Sequence, residues 1–159
     1  MNTYYFPSGP KILISVFSKD KQLKFTTVQE AIQFSLTFFG EIEEETKATL
    51  IRWCSCYSQR KQPQSLIYLI ENKLENEFKA KVVRALDNIP IGATASYQDI
   101  ASIAGNKKAC RAVGNICRVN IFPIFIPCHR VISKNKTVGG YAFGSELKQH
   151  LLEYERVLS

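Results

Sequence analysis

The first part of the chain alternates apolar and polar positions in a way that predicts paired strands. ILISVF (12–17) is a short apolar run rich in branched residues, and the polar residues 19–21 follow it as a turn. Leu23 and Phe25 then alternate with polar neighbours. Short runs of this kind on either side of a turn are typical of a β-hairpin, so we expect one near the N-terminus.

The next sixty residues favour helices separated by a loop. Residues 29–39 predict a helix that Gly40 ends. EIEEETKATLIRWCSCYSQ (41–59) predicts a second helix, because its acidic first turn suits the helix dipole. The polar segment RKQPQS (60–65) contains a proline and predicts a boundary loop. SLIYLI (65–70) fits either a strand or a short packing segment.

Apolar residues recur at helical spacing three times in the second half. The three series are Phe78, Val82, Ala85, Leu86 and Ile89; Tyr97, Ile100, Ala101 and Ala104; and Ala109, Ala112, Val113 and Ile116. Ser96 and Asp99 form a candidate capping box at the start of the second helix. Gly105 would stop that helix and Asn106 would cap the third. Two short helices joined by a glycine-containing turn predict a helix-turn-helix.

The charge of the chain is concentrated in the same half. The formal net charge is +7, and residues 78–159 hold twelve Lys and Arg against five Asp and Glu, while residues 1–77 are balanced. Such an asymmetry indicates an acidic partner, most simply nucleic acid, although an ordinary basic surface would give the same count.

One face of the third predicted helix is basic and contains a glycine. Lys107, Arg111, Gly114 and Arg118 follow one another at spacings of four, three and four residues. A glycine within a helix costs roughly 1 kcal/mol relative to alanine, which makes sense if another backbone approaches closely. This pattern suits a helix laid against phosphates, and the alternative is an ordinary solvated face.

The segment IPCHRVI (126–132) places reactive and charged groups between apolar residues. Cys128, His129 and Arg130 are consecutive, and a buried polar cluster is costly unless its groups are paired or used. A second anomaly is Glu155, which shares a stripe with Leu147, Leu151 and Leu158 in a predicted helix from Ser145 to Leu158. A buried carboxylate needs a cation or several donors. His129 and Arg130 are candidate partners, unless Glu155 reaches water at the edge of the stripe.

These groups could form a nucleophile, base and orienting residue. An imidazolium beside a thiol lowers the pKa of that thiol, and a carboxylate can hold the imidazole in the required tautomer. Cys128, His129 and Glu155 would fill these three positions. Neighbouring side chains of a strand point to opposite faces, so His129 can serve Cys128 only if the chain turns there, which Pro127 makes plausible.

The remaining cysteines and the composition predict an ordinary reduced protein. Cys54 and Cys56 lack a second pair at zinc spacing, so we expect no metal. Cys110 and Cys117 would be small, half-buried residues on one helix face. The cysteine count is odd, the N-terminus lacks a secretory pattern, and no apolar run reaches roughly 18 residues. We therefore expect a cytoplasmic protein, or a nuclear one in a eukaryote, that does not enter a membrane.

Several motifs in the second half carry a family resemblance. They are PCHRV (127–131) with Asn120 before it and Gly139, Gly140 and Tyr141 after it; Ile89, Pro90 and Gly92; Thr94, Ser96, Tyr97, Ile100 and Ala101; RAVG (111–114); and Lys148, Leu151, Leu152 and Glu155. Together they resemble the O6-alkylguanine-DNA alkyltransferases. The resemblance implies an α+β fold, with a small variable α/β domain (a β-hairpin plus helices) over residues 1–76. Residues 77–159 would form a mainly helical catalytic domain with a DNA-binding helix-turn-helix.

The resemblance also implies a set of catalytic residues. Cys128 would be the alkyl acceptor, and His129 would draw its proton through a water while Glu155 orients the imidazole. Asn120 would brace the active-site turn. Tyr97 would press on the target phosphate and help to protonate the leaving guanine.

Further residues are implied to contact the substrate. The substrate pocket would include Val131, Tyr141, Ala142 and Phe143, with the backbone carbonyls of Cys128 and Val131 reading the guanine amino group. DNA would be contacted by Tyr97, Lys107, Arg111, Gly114 and Arg118. Arg111 would fill the gap left by a flipped base.

The implied activity is direct, irreversible repair of O6-methylguanine in duplex DNA, with O4-methylthymine as a second substrate. A monomer would bind the minor groove, use no cofactor and react once. Two departures stand out, because Ile121 replaces a usual proline and Phe143 replaces a common glycine, which would narrow the pocket. Two alternatives are a binding module that does not transfer the alkyl group and a cysteine hydrolase that uses Cys128.

Overall fold

The structure is a computed structural model that describes residues 2–156. The chain has the predicted α+β composition and forms two compact units, one up to Gln64 and one from Ser65 onwards. The division falls in the RKQPQS segment, which contains no helix or strand, as predicted. Functional domains bounded at residue 76 stay a prediction. Within residues 2–156, no helix combines the length and the apolar character that crossing a membrane requires.

The first unit contains a four-stranded sheet and one long helix. Its elements are β1 (Asn2–Tyr5), β2 (Ile12–Lys19), β3 (Gln22–Glu30), β4 (Ser35–Phe39) and α1 (Glu44–Ser58), and the sheet order is β1-β4-β2-β3. The predicted hairpin is confirmed, because β2 and β3 pair antiparallel through a two-residue turn. Asp20 and Lys21 both have positive φ angles, the conformation of a tight hairpin turn.

The helix predicted over residues 29–39 is wrong, because this segment completes β3 and then forms β4. β4 pairs with β1 on one side and with β2 on the other, so Leu36 and Phe38 are buried in the middle of the sheet. A short central strand is buried on both faces and loses the alternation that identifies a strand. Gly40 has a φ of 88° and ends β4 rather than a helix, since a Cβ there would collide with the Ser18 carbonyl oxygen.

The helix predicted over residues 41–59 is confirmed as α1. Glu44 and Glu45 occupy its first turn, while Leu50, Trp53 and Tyr57 are buried. SLIYLI is neither strand nor helix of the α type, since it contains a single 3-10 turn over Ile67–Leu69.

The second unit is mainly helical. Its elements are α2 (Glu77–Asp87), β5 (Ala95–Ser96), α3 (Tyr97–Ile103), α4 (Cys110–Arg118), β6 (Val131–Ile132) and α5 (Ser145–Arg156), with β5 and β6 paired in parallel. The three helices predicted from apolar spacing are therefore confirmed. The predicted last helix begins at Ser145 as expected, and Leu158 lies outside the described residues.

The helix-turn-helix is formed by α3 and α4, which pack against each other and against α2. The capping box is confirmed, because Ser96 Oγ accepts from the Asp99 amide at 3.0 Å and Asp99 Oδ2 accepts from the Ser96 amide at 2.9 Å. The expectation that Asn106 caps the next helix is wrong. Its Oδ1 accepts from the Lys108 amide at 3.1 Å and closes a turn, and α4 begins only at Cys110.

Candidate functional site

The loop between α4 and β6 is organised around the side chain of Asn120. Its Nδ2 donates to the Ile126 carbonyl at 3.0 Å and to Cys128 Sγ at 3.1 Å. Its Oδ1 accepts from the Phe122 amide at 3.0 Å. One amide therefore links both ends of the loop to the cysteine sulfur, although Ile121 follows it in place of a proline.

The apex of this loop has an uncommon backbone conformation. Ile124 has a φ of 72° and is fully buried. A β-branched residue in the left-handed region costs roughly 1–2 kcal/mol, so surrounding interactions must hold it there. The Ile126 amide donates to the Phe122 carbonyl at 2.9 Å across the apex, and Phe122 stacks on Phe125. Cys128 therefore follows directly after a tightly closed turn.

Cys128, His129 and Arg130 form a single 3-10 turn between Pro127 and β6, so the chain does turn where the sequence required it. The Arg130 amide closes the turn by donating to the Pro127 carbonyl at 3.0 Å. All three side chains are buried. A turn, unlike a strand, allows consecutive side chains to share one site.

Glu155 on α5 neutralises this turn. It accepts from His129 Nε2 at 2.7 Å through Oε1, and from Arg130 Nε at 2.9 Å through Oε2. Arg130 also donates to Oε1 at 3.0 Å and to the Ile89 carbonyl at 2.6 Å. Both partners predicted for Glu155 are therefore confirmed. Burial alone would raise the pKa of Glu155, but His129 and Arg130 hold it well below its usual value.

His129 is a neutral imidazole in this setting. Burial lowers its pKa below 6.5 despite the neighbouring Glu155 carboxylate. The proton therefore lies on Nε2, which faces the carboxylate as a donor. Nδ1 is buried and makes no hydrogen bond with the described residues. This nitrogen is a lone-pair acceptor that the fold leaves available as a base.

Cys128 is a thiol rather than a thiolate in the resting site. Burial raises its pKa, and the Asn120 hydrogen bond and the Lys148 charge offset this only in part. The expectation that an imidazolium lowers the thiol pKa is wrong, because a buried neutral His129 carries no charge. A reaction at this sulfur would therefore have to remove the thiol proton.

Cys128 opens into a cavity of about 680 Å³ beside the helix-turn-helix. The cavity is lined by Tyr97, Cys110, Arg111, Gly114, Asn115, Cys117, Arg118, Cys128, Gly140, Tyr141 and Ala142. α3 and α4 contribute one wall, and the segment before α5 contributes another. Most of its surface is apolar, which suits an uncharged ring or alkyl group.

Three predicted site residues lie elsewhere. Lys107 precedes α4 and does not line the cavity, so it does not share the helical face of Arg111 and Arg118. Val131 is buried, and its carbonyl accepts from Lys148 Nζ at 2.6 Å. Phe143 contacts Tyr141 edge-on, with ring centroids 5.5 Å apart, instead of narrowing the cavity.

The sequence reasoning did not assign Cys110, Cys117 or Lys148 to this site. Cys110 and Cys117 line the cavity rather than fill space, and burial raises the pKa of Cys117 to about 12. Lys148 is almost fully buried beside the cavity. A signal was present, since Lys148 precedes Glu155 by seven residues and so shares its helix face.

The helix-turn-helix face of the cavity is basic and smooth. Arg111 and Arg118 are exposed on α4, with Gly114 between them. A Cβ at Gly114 would meet only Tyr97 Cε1, at 3.9 Å, so the fold itself would accept alanine. Packing within the fold therefore does not require a glycine at this position.

Comparison with known proteins gives consistent matches to the second half of the chain. Residues 77–157 match the family described as "6-O-methylguanine DNA methyltransferase, DNA binding domain". A constitutive methylated-DNA–protein-cysteine methyltransferase of Bacillus subtilis is 51% identical over 81 residues, which are 50% of this chain and 49% of that protein. The Homo sapiens methylated-DNA–protein-cysteine methyltransferase is 46% identical over 72 residues, which are 45% of this chain and 35% of that protein. The match thus spans about half the length of these relatives, or less.

Solved structures extend the likeness. A Mycobacterium tuberculosis OGT in complex with DNA is 41% identical, has a TM-score of 0.50, and aligns over 52% of this chain and 50% of that one. The M. tuberculosis O6-methylguanine methyltransferase aligns over 93% of this chain and 94% of that one, with a TM-score of 0.60 and 22% identity. The second likeness concerns the fold of both units.

Proposed function

The chain belongs to the 6-O-methylguanine DNA methyltransferase DNA-binding domain family, and from this premise we propose that it repairs alkylated DNA by accepting the alkyl group on Cys128. One observation carries the proposal. Cys128 shares a buried turn with His129, which is bonded to Glu155, and opens into a cavity on the basic face of a helix-turn-helix. Acceptor, base and DNA-binding surface therefore converge on one place.

The proposed reaction is an in-line displacement at the alkyl carbon. His129 Nδ1 takes the Cys128 proton through a bridging water, and Glu155 stabilises the resulting imidazolium by accepting from Nε2. The sulfur lone pair forms the S–C bond while the C–O6 bond breaks and its electrons stay on guanine. Guanine then needs one proton, which the Tyr97 hydroxyl supplies; the Tyr97 phenolate then regains a proton from solvent, and the His129 imidazolium releases one to solvent. Burial raises the pKa of Tyr97, so this hydroxyl remains protonated at neutral pH.

Asn120 keeps the acceptor aligned for this step. Its amide donates to Cys128 Sγ and to the Ile126 carbonyl, and these bonds favour the rotamer that directs the sulfur into the cavity. Correct positioning of the reacting atoms supplies much of the rate in displacements of this kind. The thioether that forms has no route back to the thiol, so each chain reacts once and needs no cofactor.

We propose that the partner is duplex DNA, held through its minor groove by α4. Arg111 fills the space of the flipped base, and Gly114 lets the DNA backbone approach the helix. Arg118 and Lys107 contact phosphates. Flipping costs a few kcal/mol, and least for a damaged or mispaired base. Binding through phosphates should weaken steeply with salt.

The cavity suits the alkylated base. O6-methylguanine is the substrate we propose, with O4-methylthymine as a second one, and Tyr141 and Ala142 form the wall against the base. Val131 and Phe143 support this wall without lining the cavity: Val131 O binds Lys148 and Phe143 contacts Tyr141. Residues 77–159 would form the functional domain and residues 1–76 a variable domain. The protein would act as a monomer where the DNA is, in the cytoplasm or in a eukaryotic nucleus.

Peptide-resolved mass spectrometry tests the proposal. The protein is mixed with duplex DNA that contains one O6-methylguanine, and Cys128→Ser serves as the control. We expect one added methylene on the peptide that contains Cys128, saturating at one per chain and absent in the control. Tight binding without any added mass would favour a damage-binding module, and turnover on esters or amides would favour a hydrolase.

A further inference from the structure

Lys148 on α5 is a buried cation whose hydrogen-bond partners are backbone carbonyls. The residue is 1% exposed. Its Nζ donates to the Val131 carbonyl at 2.6 Å and to the Gly140 carbonyl at 3.3 Å. Within residues 2–156, no carboxylate oxygen lies within 4.0 Å of this Nζ. Two carbonyl oxygens satisfy the donors of an ammonium but do not neutralise its charge.

A buried charge without a counterion is costly, and the fold normally removes it or pairs it. Burial accordingly lowers the pKa of Lys148, whereas the neighbouring Cys128 and Cys117 sulfurs favour its charged form. Glu155 cannot balance it, because that carboxylate is already bonded to His129 and Arg130. Tyr97 and Tyr141 also line the cavity, and burial raises their pKa values, which keeps them neutral at pH 7; Arg111 and Arg118 add positive charge rather than a counterion.

The ammonium also links two walls of the cavity. Val131 directly follows the turn that contains Cys128, and Gly140 directly precedes Tyr141. The chain between them passes close to Lys148, because a Cβ at Gly139 would lie 3.9 Å from its Nζ and 3.8 Å from the Tyr97 hydroxyl. Lys148 Nζ is also 5.9 Å from the centre of the Tyr97 ring, within cation–π range.

We propose that Lys148 is a positioning residue for alkyl transfer: its ammonium ties the Tyr141 segment to Val131 and supplies the charge that balances the Cys128 sulfur once that sulfur loses its proton. The inference rests on the proposed function of Cys128. In the resting thiol the positive charge has no counterpart, and deprotonation of Cys128 provides one. The unmatched cation therefore stabilises the reactive form of the acceptor relative to its resting form.

The test measures how readily Cys128 becomes a thiolate. Wild type, Lys148→Met and Lys148→Arg are treated with iodoacetamide over a range of pH, and peptide mass spectrometry follows Cys128 separately from the other four cysteines. Lys81→Met is the matched control, because Lys81 is exposed on α2 and its removal changes the net charge equally. A parallel series measures single-turnover transfer from O6-methylguanine duplex.

We expect the midpoint of the Cys128 profile to rise by about one pH unit in Lys148→Met, which is a roughly tenfold slower reaction at a fixed pH below the midpoint. Alkyl transfer should fall in parallel. Lys148→Arg retains the positive charge, so its midpoint should stay close to that of wild type. Lys81→Met should have the wild-type midpoint. If Lys148 only filled space, the midpoint of the Cys128 profile would not depend on the charge of the side chain at position 148.

Equal midpoints in wild type and Lys148→Met would overturn the proposal for Lys148, whatever the transfer rate. If wild type takes no methyl group from DNA while the midpoints differ, the proposed function fails and the charge effect stands. If Lys148→Met does not unfold cooperatively, Lys148→Gln replaces it. If Lys148→Gln also does not unfold cooperatively, the test uses Lys148→Arg alone. The proposal then requires that the folded arginine variant has the same Cys128 midpoint as wild type.

Discussion

Replacing Glu155 with glutamine would test the cluster that holds the acceptor turn to α5. Glu155 accepts three hydrogen bonds, one from His129 and two from Arg130. Glutamine can provide only one acceptor oxygen. Its NH₂ group would therefore face a donor of Arg130 or His129, and the guanidinium would remain buried without an anion.

The expected loss is large for these reasons. Removing one partner of a buried ion pair costs roughly 3–5 kcal/mol, a substantial part of the 5–15 kcal/mol that stabilises a typical domain. A second effect is chemical, since an amide NH₂ facing Nε2 would move the imidazole proton to Nδ1 and remove the base. We expect Glu155→Gln to lose both stability and alkyl transfer.

Urea unfolding should be measured by amide hydrogen exchange in peptides of α2 and α5, which belong to the second unit. Trp53 fluorescence is unsuitable because Trp53 reports on the first unit. Glu153→Gln is the matched control. Glu153 lies on the same helix and is exposed, with Oε1 bonded to Gln149 at 2.7 Å, so its loss should stay within about 0.5 kcal/mol. A loss below about 1 kcal/mol for Glu155→Gln would refute the buried-pair reasoning, since such pairs normally exceed it.

Three further outcomes are expected. The folded state holds the pKa of His129 below its unfolded value near 6.5, so the unfolded chain binds more protons and stability should fall as pH drops below about 6.5; urea unfolding at several pH values should show this slope, and His129→Asn should reduce it. Arg111→Ala should keep Cys128 reactive toward free O6-benzylguanine yet lose activity on duplex DNA, and equal loss on both would exclude the base-filling function. Asn120→Ala should slow alkyl transfer by at least about tenfold through lost positioning, measured in single turnover, and an unchanged rate would contradict its bracing function.

Local patterns predicted the elements whose signals are local. The β2–β3 hairpin, α1, α2 and the capping box of α3 all follow from spacing, turn residues or a cap. The prediction for residues 35–39 failed because a central strand is defined by the strands that pair with it. Both strands that pair with β4, which are β1 and β2, lie far from it in sequence. The start of α4 was misplaced because Asn106 caps equally well a turn or a helix.

The sequence predicted some contacts of the site and not others. An out-of-place Glu155 among leucines correctly indicated a buried contact with His129 and Arg130, because the cost of burying a charge holds in any fold. The sequence predicted a lowered pKa for Cys128, but burial raises it. The extent of burial of this turn depends on the whole fold and cannot be read from the local sequence. Lys148 was missed as a buried cation because a lysine at the edge of a helical stripe usually extends its ammonium into water.

Three cysteines, Cys110, Cys117 and Cys128, line the cavity, and this bears on how electrophiles distribute within it. Burial raises the pKa of Cys117 to about 12, and unlike Cys128 it has no hydrogen bond from Asn120 among those of the described residues. A small electrophile that enters the cavity therefore meets three cysteine side chains and not the acceptor alone. Its partition between them is kinetic, and a product on Cys110 or Cys117 leaves the acceptor unmodified. Counting modified sulfurs would then overstate the capacity of the acceptor, and only the identity of the modified cysteine would measure it.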